Sequence, residues 1–359
     1  MTTRTTMKAL VYRGPASCAW DECPRPTIRE PTDAVVRITT TTICGTDLHI
    51  LKGDLPTVST GRILGHEGIG VVEQVGTAVV EFKVGDRVIV SCITACLKCD
   101  FCRRAIYSHC RNGGWILGNT IDGTQAEAVR IPQADGSLYH LPVGTKEEDM
   151  LMLSDILPTA FECGVQNGQV KPRDSVAVVG AGPIGLAVLM TAQLYSPASV
   201  LMIDPDEQRL AVAKKFGATG VINNSQGDAV AQVMKLTGGA GVDVAIEAVG
   251  LPATFGICQE IVGVGGRIAN VGVHGKPVEL HLEKLWDRNI SLTTRLVDTV
   301  TTPMLLKVVN SGKLTPGKLV THRFTLADAV KAYATFGNAA QEHALKVVLT
   351  SSPIQTNNH

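Results

Sequence analysis

Residues 175–195, SVAVVGAGPIGLAVLMTAQLY, decide the fold of this 359-residue chain. The apolar run that ends at Val179 predicts a buried strand, and the apolar run from Gly185 onward predicts a buried helix. Between them the glycines follow the spacing G-x-G-x-x-G, at Gly180, Gly182 and Gly185. Glycine here allows a tight turn, lets the backbone approach a pyrophosphate and lets the helix pack closely on the strand. Because such a helix start also attracts phosphate, the stretch predicts a dinucleotide-binding site.

Outward from this stretch, short apolar strands alternate with helices. Strands are predicted at 175–179, 200–203, 221–223, 242–246, 266–271 and 290–293, and helices at 185–195 and 207–216. Strands that are joined by crossover helices form a parallel sheet covered on both faces. The expected fold class is therefore α/β, with a doubly wound parallel sheet.

An acidic residue, Asp204, ends the second of these strands, 19 residues after Gly185. In dinucleotide-binding folds a carboxylate at this position accepts a hydrogen bond from the ribose 2′-hydroxyl, and it would repel a 2′-phosphate. NAD is therefore favoured over NADP. In the alternative interpretation Asp204 only begins the next helix, because Asp206 is nearby.

The regions before and after this α/β stretch have a different pattern of residues. Before about residue 150 the chain is rich in β-branched runs, with strands predicted at 34–41, 68–75 and 87–92 and one helix at 147–163. After the parallel sheet, helices are predicted at 302–311 and 327–335 and a final strand at 344–349. The polar end, 351–359, is expected to fray.

Four of the ten cysteines lie within 15 residues, in the pattern Cys96-x2-Cys99-x2-Cys102-x7-Cys110. Thiolates at this spacing can surround one tetrahedral zinc ion and leave no open position, which is typical of a structural site. The alternative, a set of free surface thiols, is disfavoured by the spacing.

Composition excludes several classes of function. The 33 Lys and Arg balance 33 Asp and Glu, which argues against nucleic acid or an anionic membrane as the main partner. No apolar run reaches the roughly 18 residues of a membrane span, and the first eight residues lack a secretory apolar segment. We therefore expect a cytoplasmic protein.

Three further motifs carry candidate chemistry: Cys44-Gly-Thr46-Asp47-Leu-His49, Gly65-His66-Glu67-Gly68, and Asp155 within the helix predicted at 147–163. With the cysteine cluster, the dinucleotide loop and the terminal Lys346-Val-Val-Leu, in this order, they resemble the zinc-dependent medium-chain alcohol dehydrogenases. The resemblance covers essentially the whole chain. It implies a GroES-like, mainly β catalytic domain and a Rossmann cofactor domain. It also implies reversible oxidation of alcohols to aldehydes or ketones by hydride transfer to NAD.

The ligand set that the resemblance implies for a catalytic zinc is Cys44, His66 and Asp155, with Glu67 as an alternate ligand. Together with the ion at the four cysteines, this makes two zinc ions per chain. Aligning the helix through Thr159, which resembles the family's nicotinamide-contacting threonine, puts Asp155 at the third-ligand position. Cys163, two helical turns further on, is the rival ligand.

The resemblance also assigns roles to other residues. The residues expected to act in catalysis are Thr46, His49 and Glu67, of which Thr46 and His49 resemble the family's proton relay to solvent. The expected cofactor contacts are Gly180, Gly182, Pro183, Ile184, Gly185, Asp204, Arg209, Thr159, Val249, Val273 and Lys346. With Thr46, Cys92 and Trp115 resemble walls of the substrate pocket. The small side chain of Cys92 would leave room for secondary alcohols beside primary ones.

The expected catalytic domain comprises 1–157 and 295–359, with a structural zinc lobe at 92–112, and the expected NAD-binding domain comprises 158–294. Because the chain between Cys44 and Asp155 lacks the long insertion of the dimeric animal enzymes, the resemblance implies a homotetramer.

A polyol or L-threonine dehydrogenase of the same superfamily is one alternative function, since threonine dehydrogenases share the pattern at 44–49. A non-enzymatic zinc- or nucleotide-binding protein is another, but it would need broken catalytic ligands, and none is broken.

Overall fold

The computed structural model describes residues 4–351, which belong to two compact units. Unit 1 comprises Met1–Asp155 and Asp298–His359, and unit 2 comprises Ile156–Val297. These divisions fall two and three residues from the boundaries expected at 157 and 295. Residues 1–3 and 352–359, which include most of the end expected to fray, lie outside the described residues.

The elements are numbered in chain order. The strands β1 to β15 are Thr6–Gly14, Ser17–Pro24, Ala34–Thr42, Gly68–Val75, Arg87–Val90, Ala128–Ile131, Leu138–His140, Ser175–Val179, Ser199–Asp204, Gly220–Asn223, Val242–Glu247, Val262–Asn270, Ser291–Thr294, Val320–Thr325 and Lys346–Thr350. The α-helices α1 to α12 are Gly45–Lys52, Ala134–Ser137, Glu147–Leu151, Ile156–Thr159, Pro183–Ala192, Glu207–Lys215, Ala229–Leu236, Pro252–Ile261, Leu282–Leu285, Thr302–Asn310, Ala329–Gly337 and Ala339–Glu342. Short 3-10 turns lie at Cys102–Arg104, Tyr107–His109, Gln193–Tyr195, Pro316–Leu319 and Leu326–Asp328, and a π-helical stretch at Ala160–Gln166.

Unit 2 is built on a six-stranded sheet in the order β10-β9-β8-β11-β12-β13, in which every neighbouring pair is parallel. Its core is aliphatic, with Val179, Ile203 and Ala245 of the sheet packed in one cluster with Phe255 of α8. The chain starts in the middle at β8, winds outward, and returns to β11 on the other side. The carboxyl ends of β8 and β11 therefore form the switch point at which open α/β sheets bind ligands. The predicted doubly wound α/β class is confirmed.

The glycine loop between β8 and α5 brings backbone against backbone. Gly180 has a φ of +109°, a conformation that L side chains rarely adopt. A Cβ added at Gly185 would lie 1.8 Å from the carbonyl oxygen of Gly180. Pro183 stands in the first turn of α5, where its missing N–H is not needed. The sequence thus starts α5 directly against the end of β8, with free backbone N–H groups at its amino-terminal end.

The main sheet of unit 1 runs β14-β15-β3-β4-β5-β7, and β6 also pairs with β3. β14 and β15 are parallel, whereas the other pairs are antiparallel. β1 and β2 form a separate antiparallel hairpin. Branched side chains such as Val36, Ile38 and Val72 fill one core of the sheet. The predicted GroES-like, mainly β domain is confirmed.

The single helix predicted over 147–163 is wrong. α3 ends at Leu151, a turn follows, α4 occupies Ile156–Thr159, and the backbone then becomes π-helical. The cause is Pro158, which lacks an N–H and whose ring clashes with the carbonyl four residues earlier in a continuous helix. Asp155 therefore lies in the turn before α4, and not on the face of a helix.

Among the residues that the structure describes, no helix is both long and apolar enough to cross a membrane.

Two glycine substitutions with opposite expected effects on the free energy of unfolding test this packing. We expect Gly185→Ala to lower the free energy of unfolding by at least about 2 kcal/mol, because its methyl group would overlap a backbone carbonyl that cannot yield easily. Gly256→Ala in α8 is the matched control, since its methyl group meets nothing within 4 Å. There alanine should raise the free energy of unfolding by about 0.5–1 kcal/mol. Denaturant titration measures both, and equal effects would contradict the loop geometry.

Candidate active site and metal centres

The four cysteines of the predicted zinc lobe meet in a loop that follows β5. Their sulfurs all lie within 4.8 Å of one another, and they belong to Cys96, Cys99, Cys102 and Cys110. The 3-10 turns at Cys102–Arg104 and Tyr107–His109 fold the loop back on itself, which returns the last cysteine to the first three.

Backbone N–H groups point at these sulfurs. The Cys96 amide donates to Cys110 Sγ at 3.2 Å, and the Cys102 amide donates to Cys99 Sγ at 3.5 Å. Although burial raises the pKa of Cys96, amide donors from Lys98 and Cys99 outweigh it and lower that pKa to about 6. Four sulfurs that lie this close together and receive backbone N–H donors fit a structural zinc ion without an open position.

A second group of donors forms where three segments of unit 1 end. Cys44 stands between β3 and α1, His66 and Glu67 directly precede β4, and Asp155 lies in the turn before α4. β3 and β4 are antiparallel neighbours, so the end of one strand meets the start of the other. One ligand atom from each of these four residues lies within 4.8 Å of the others.

Asp155 is central to this group. Its Oδ2 lies 3.2 Å from His66 Nε2 and 3.8 Å from Cys44 Sγ. Burial lowers the pKa of His66, but the Cys44 charge and the Asp155 hydrogen bond outweigh burial and raise that pKa well above its ordinary value. A thiolate, an imidazole and a carboxylate that converge in this way favour a shared cation. The set matches the three protein ligands of a catalytic zinc, which leaves one position open.

The rival ligand Cys163 belongs to unit 2, where it is buried in the π-helical stretch Ala160–Gln166. Among the described residues, the donor group around His66 contains Asp155 and not Cys163. The identity of the third ligand stays a prediction.

Glu67 makes a contact that sequence reasoning did not propose. Lys346 Nζ donates to both carboxylate oxygens, at 2.8 and 3.1 Å, and both side chains are almost fully buried. Burial raises the pKa of Glu67, and the charge of Lys346 opposes that rise. Lys346 was expected to contact the cofactor, and that role stays a prediction beside its ion pair with Glu67.

Asp47 supports His66 from the other side of the ring, and sequence reasoning gave it no role. Its Oδ2 accepts from the Cys44 amide at 2.9 Å and from Gln125 Nε2 at 3.1 Å, and its Oδ1 lies 3.8 Å from His66 Nδ1. Asp47 is fully buried. At this distance the carboxylate acts on the imidazole through its charge, because Oδ1 has no hydrogen-bond partner among the described residues. The one available signal was its place in the same six-residue motif as Cys44.

The predicted relay and pocket residues fall near this donor group or on the helix that follows Cys44. Thr46 Oγ1 lies 3.7 Å from Cys44 Sγ, and Cys92 Sγ lies 3.5 Å from Asp155 Oδ1. Trp115 faces His66 edge-on, with ring centroids 6.2 Å apart. His49 follows Thr46 by three residues on α1, and its Nδ1 lies 2.7 Å from Asp54 Oδ2. Its side chain is 33% exposed, so this position reaches solvent.

In unit 2, the predicted cofactor residues gather at the carboxyl ends of the parallel strands. Asp204 is buried at the end of β9, where it accepts from the Ala181 amide at 2.7 Å and from the Asp206 amide at 2.9 Å. Val249 and Val273 follow β11 and β12 and are 41% and 59% exposed. Such exposed apolar side chains at strand ends suit a flat ligand ring.

Among the other predicted cofactor residues, Pro183 and Ile184 are half-buried at the start of α5. A Cβ on Gly182 would lie 3.9 Å from a terminal nitrogen of Arg209. Arg209 also lies 3.9 Å from the Asp206 carboxylate. Thr159 lies at the end of α4, which packs against α5. The loop fits a dinucleotide, because its glycines place no side chain of their own over the start of α5.

Comparison with known proteins finds matches in both units. The chain matches the model of the alcohol dehydrogenase GroES-like domain over residues 30–143 and that of the zinc-binding dehydrogenase over residues 183–310. It is 38% identical to an alcohol dehydrogenase of Cupriavidus necator, over 96% of this chain and 98% of the relative. It is 32% identical to an NADP-dependent isopropanol dehydrogenase of Entamoeba histolytica, over 89% of each. The solved structure of zinc-dependent alcohol dehydrogenase 2 from Streptococcus pneumonia, in its apo form, is 54% identical and superimposes with a TM-score of 0.93. That comparison covers 97% of this chain and 99% of that one.

A GroES-like unit with this donor group, and a parallel-sheet unit with this glycine loop, define a zinc-binding dehydrogenase and hence an oxidoreductase. The chain belongs to the zinc-dependent medium-chain alcohol dehydrogenase family. The family predicted from its motifs is thereby confirmed.

The buried ion pair gives a prediction about stability. Lys346→Met would leave the Glu67 carboxylate buried without its cation, so we expect the free energy of unfolding to fall by about 3–5 kcal/mol. Lys307→Met is the control, because Lys307 is exposed on α10 and its loss should change stability by less than about 0.5 kcal/mol. Guanidinium titration of both variants is the measurement. A Lys346→Met protein as stable as the control would show that Glu67 needs no counter-charge.

Proposed function

We propose that the chain catalyses the reversible, NAD-dependent oxidation of primary and secondary alcohols at Cys44, His66 and Asp155. The observation that carries this proposal is the convergence of four ligand atoms of three kinds, with Glu67 as the fourth residue, within 4.8 Å in unit 1. A structural ion is usually held by four permanent protein ligands, whereas a catalytic zinc keeps one position for substrate. Three permanent ligands, together with the Glu67 carboxylate that Lys346 holds, suit a catalytic zinc.

Zinc held by Cys44, His66 and Asp155 would supply Lewis acidity at the substrate oxygen, and the nicotinamide would accept the hydride. The residues of the chain have to remove the hydroxyl proton. The Thr46 hydroxyl, which lies beside Cys44, can accept the substrate hydroxyl proton and donate its own onward. His49, on the same helix and partly exposed, can release a proton to solvent, and Asp54 holds its ring through Nδ1.

Glu67 has a different role in this proposal. Lys346 holds its carboxylate next to the donor group with hydrogen bonds to both oxygens. Glu67 would therefore serve as an alternate ligand, which would let substrate and product exchange without a bare metal position.

The preference for NAD over NADP rests on Asp204. This buried carboxylate lies at the end of β9 beside the glycine loop, where it would repel a 2′-phosphate. Both of its oxygens also accept backbone hydrogen bonds, so the same group shapes the turn and offers its remaining lone pairs to a ribose hydroxyl. The isopropanol dehydrogenase relative is named for NADP, so the discrimination needs a direct comparison of both cofactors.

The substrate range follows from the walls of the site. Cys92 lies against Asp155, and Trp115 lies against His66. A cysteine leaves more room than an aromatic side chain, so a second alkyl group on the carbinol carbon can be accommodated. An isopropanol dehydrogenase among the relatives supports a secondary alcohol as substrate. We further propose a cytoplasmic homotetramer, on the resemblance to the bacterial members of the family.

Metal analysis tests the ligand set. We expect about two zinc equivalents per chain in the natural protein, and about one in Asp155→Asn, because a neutral amide is a poor ligand and the sulfur cluster is untouched. Turnover should fall by several orders of magnitude. Cys163→Ala is the control and should keep two equivalents. If Asp155→Asn kept both ions and most of its activity, the permanent ligand would be Glu67.

A substrate panel tests the proposed activity. Zinc-replete protein should oxidise 2-propanol and ethanol with NAD, and its kcat/KM with NADP should be lower by about tenfold or more, since losing one charge-assisted hydrogen bond and gaining a repulsion amounts to at least 1.4 kcal/mol. Faster turnover of sorbitol or L-threonine would assign the chain to a polyol or threonine dehydrogenase. Equal turnover with NADP would overturn the role given to Asp204.

A further inference from the structure

A fully buried carboxylate, Glu247, lies at the switch point of unit 2 and has no part in the proposed chemistry. It is the last residue of β11, and its side chain is 0% exposed. Its Oε1 accepts three hydrogen bonds, from the Val249 amide at 3.0 Å, the Gly250 amide at 2.8 Å and the Thr254 hydroxyl at 2.7 Å. One oxygen thus holds the loop after β11 and the start of α8.

The other oxygen of Glu247 faces the loop after β12. Oε2 lies 3.5 Å from His274 Nε2 and has no hydrogen-bond partner among the described residues. A Cβ added at Gly272 would stand 2.3 Å from this oxygen, so only glycine lets the two groups approach. The backbone carbonyl of Glu247 accepts from the amides of Val271 and Gly272 at 2.8 and 3.2 Å.

His274 is held in a defined orientation at this place. Its Nε2 lies 2.8 Å from Asn270 Oδ1, and Asn270 Nδ2 donates to the Gly272 carbonyl at 2.9 Å. Because that amide nitrogen donates, Oδ1 accepts, and His274 Nε2 therefore carries a proton. The same nitrogen lies 3.5 Å from Glu247 Oε2, which is close enough for a charge interaction but is not a hydrogen bond. The ring also packs edge-on against Phe255 of α8.

The two loops touch backbone to backbone. A Cβ on Gly250 would lie 2.2 Å from the Val273 carbonyl oxygen, and one on Gly272 would lie 2.2 Å from the Gly250 amide nitrogen. Glu247 thus contacts both loops: its Oε1 accepts hydrogen bonds from the loop after β11, and its Oε2 faces the loop after β12. Val249 and Val273, the exposed residues expected to contact the cofactor, lie one on each loop.

We propose that Glu247, together with His274, is a positioning residue that holds the loops 248–250 and 271–274 in the arrangement that receives the nicotinamide half of the cofactor. The proposal rests on the cofactor assignment made above. The adenine half depends on a different place, the glycine loop and Asp204, which these side chains do not contact through any hydrogen bond found in the described residues. Loss of the Glu247–His274 pair should therefore weaken one half of the cofactor only.

Binding measurements with NADH and with ADP-ribose, which lacks the nicotinamide, separate the two halves. Glu247→Gln keeps the shape but puts an amide where the carboxylate stands. His274→Phe keeps a ring against Phe255 but loses the N–H. We expect either change to raise the Kd for NADH about tenfold, as for the loss of a hydrogen bond to a charged group, and to leave the Kd for ADP-ribose within about twofold.

Controls make the result specific to positioning. His274→Gln restores an N–H donor and should recover part of the NADH affinity, whereas Glu260→Gln, on the exposed side of α8, should change neither ligand. The KM for NAD should rise more than kcat falls. If Glu247→Gln does not fold, His274→Phe alone decides the outcome.

Two results would overturn the proposal. Unchanged NADH affinity in both variants would show that the loops need no such support. Equal weakening of NADH and ADP-ribose would show that the pair stabilises unit 2 in general. A natural protein that bound neither ligand would instead overturn the cofactor assignment, and the positioning role with it.

Discussion

The burial of charged groups around His66 is the constraint on which unit 1 depends. An isolated ion costs several kcal/mol when it leaves water, and Glu67 and Asp155 place two carboxylates beside a cysteine thiol. The fold offsets this cost in separate ways. Lys346 pairs with Glu67, and the His66 imidazole lies against Asp155. The remaining negative charge favours a metal cation at this group, in keeping with the proposed zinc site.

The strand order of the sheet in unit 1 brings the charged groups around His66 together. β3 lies between β15 and β4, so the ends of three strands meet at one edge. β15 supplies Lys346, the segment after β3 supplies Cys44, and the segment before β4 supplies His66 and Glu67. Each strand is fixed by apolar side chains in the core, and the reactive groups stand just beyond it. The site therefore gains its precision from packing at a distance from the chemistry.

Unit 2 meets a different requirement, because backbone must approach a ligand at the ends of parallel strands. Loops there have amides that the sheet cannot satisfy. Two buried carboxylates at strand ends accept from these amides: Asp204 beside the glycine loop, and Glu247 beside the loop after β11. Each acid thereby fixes the backbone of the loop that lies beside it. Asp204, which the sequence predicts as a cofactor contact, therefore also stabilises the fold through its hydrogen bonds to the backbone.

Local patterns carried most of what could be predicted. The spacing of Cys96 to Cys110, the glycine loop and the alternating apolar runs of unit 2 are encoded within short stretches of chain, so the sequence by itself determined the four-cysteine motif, the parallel sheet and the family. The helix predicted over 147–163 is wrong because periodicity was weighed above the effect of Pro158. The meeting of Asp155 with Cys44 across 111 residues was predicted only through the resemblance to the family. Only the tertiary structure decided that Lys346 meets Glu67 across 279 residues. Those contacts depend on strand order and register, which arise from the packing of the whole unit and leave no mark in the spacing of neighbouring residues.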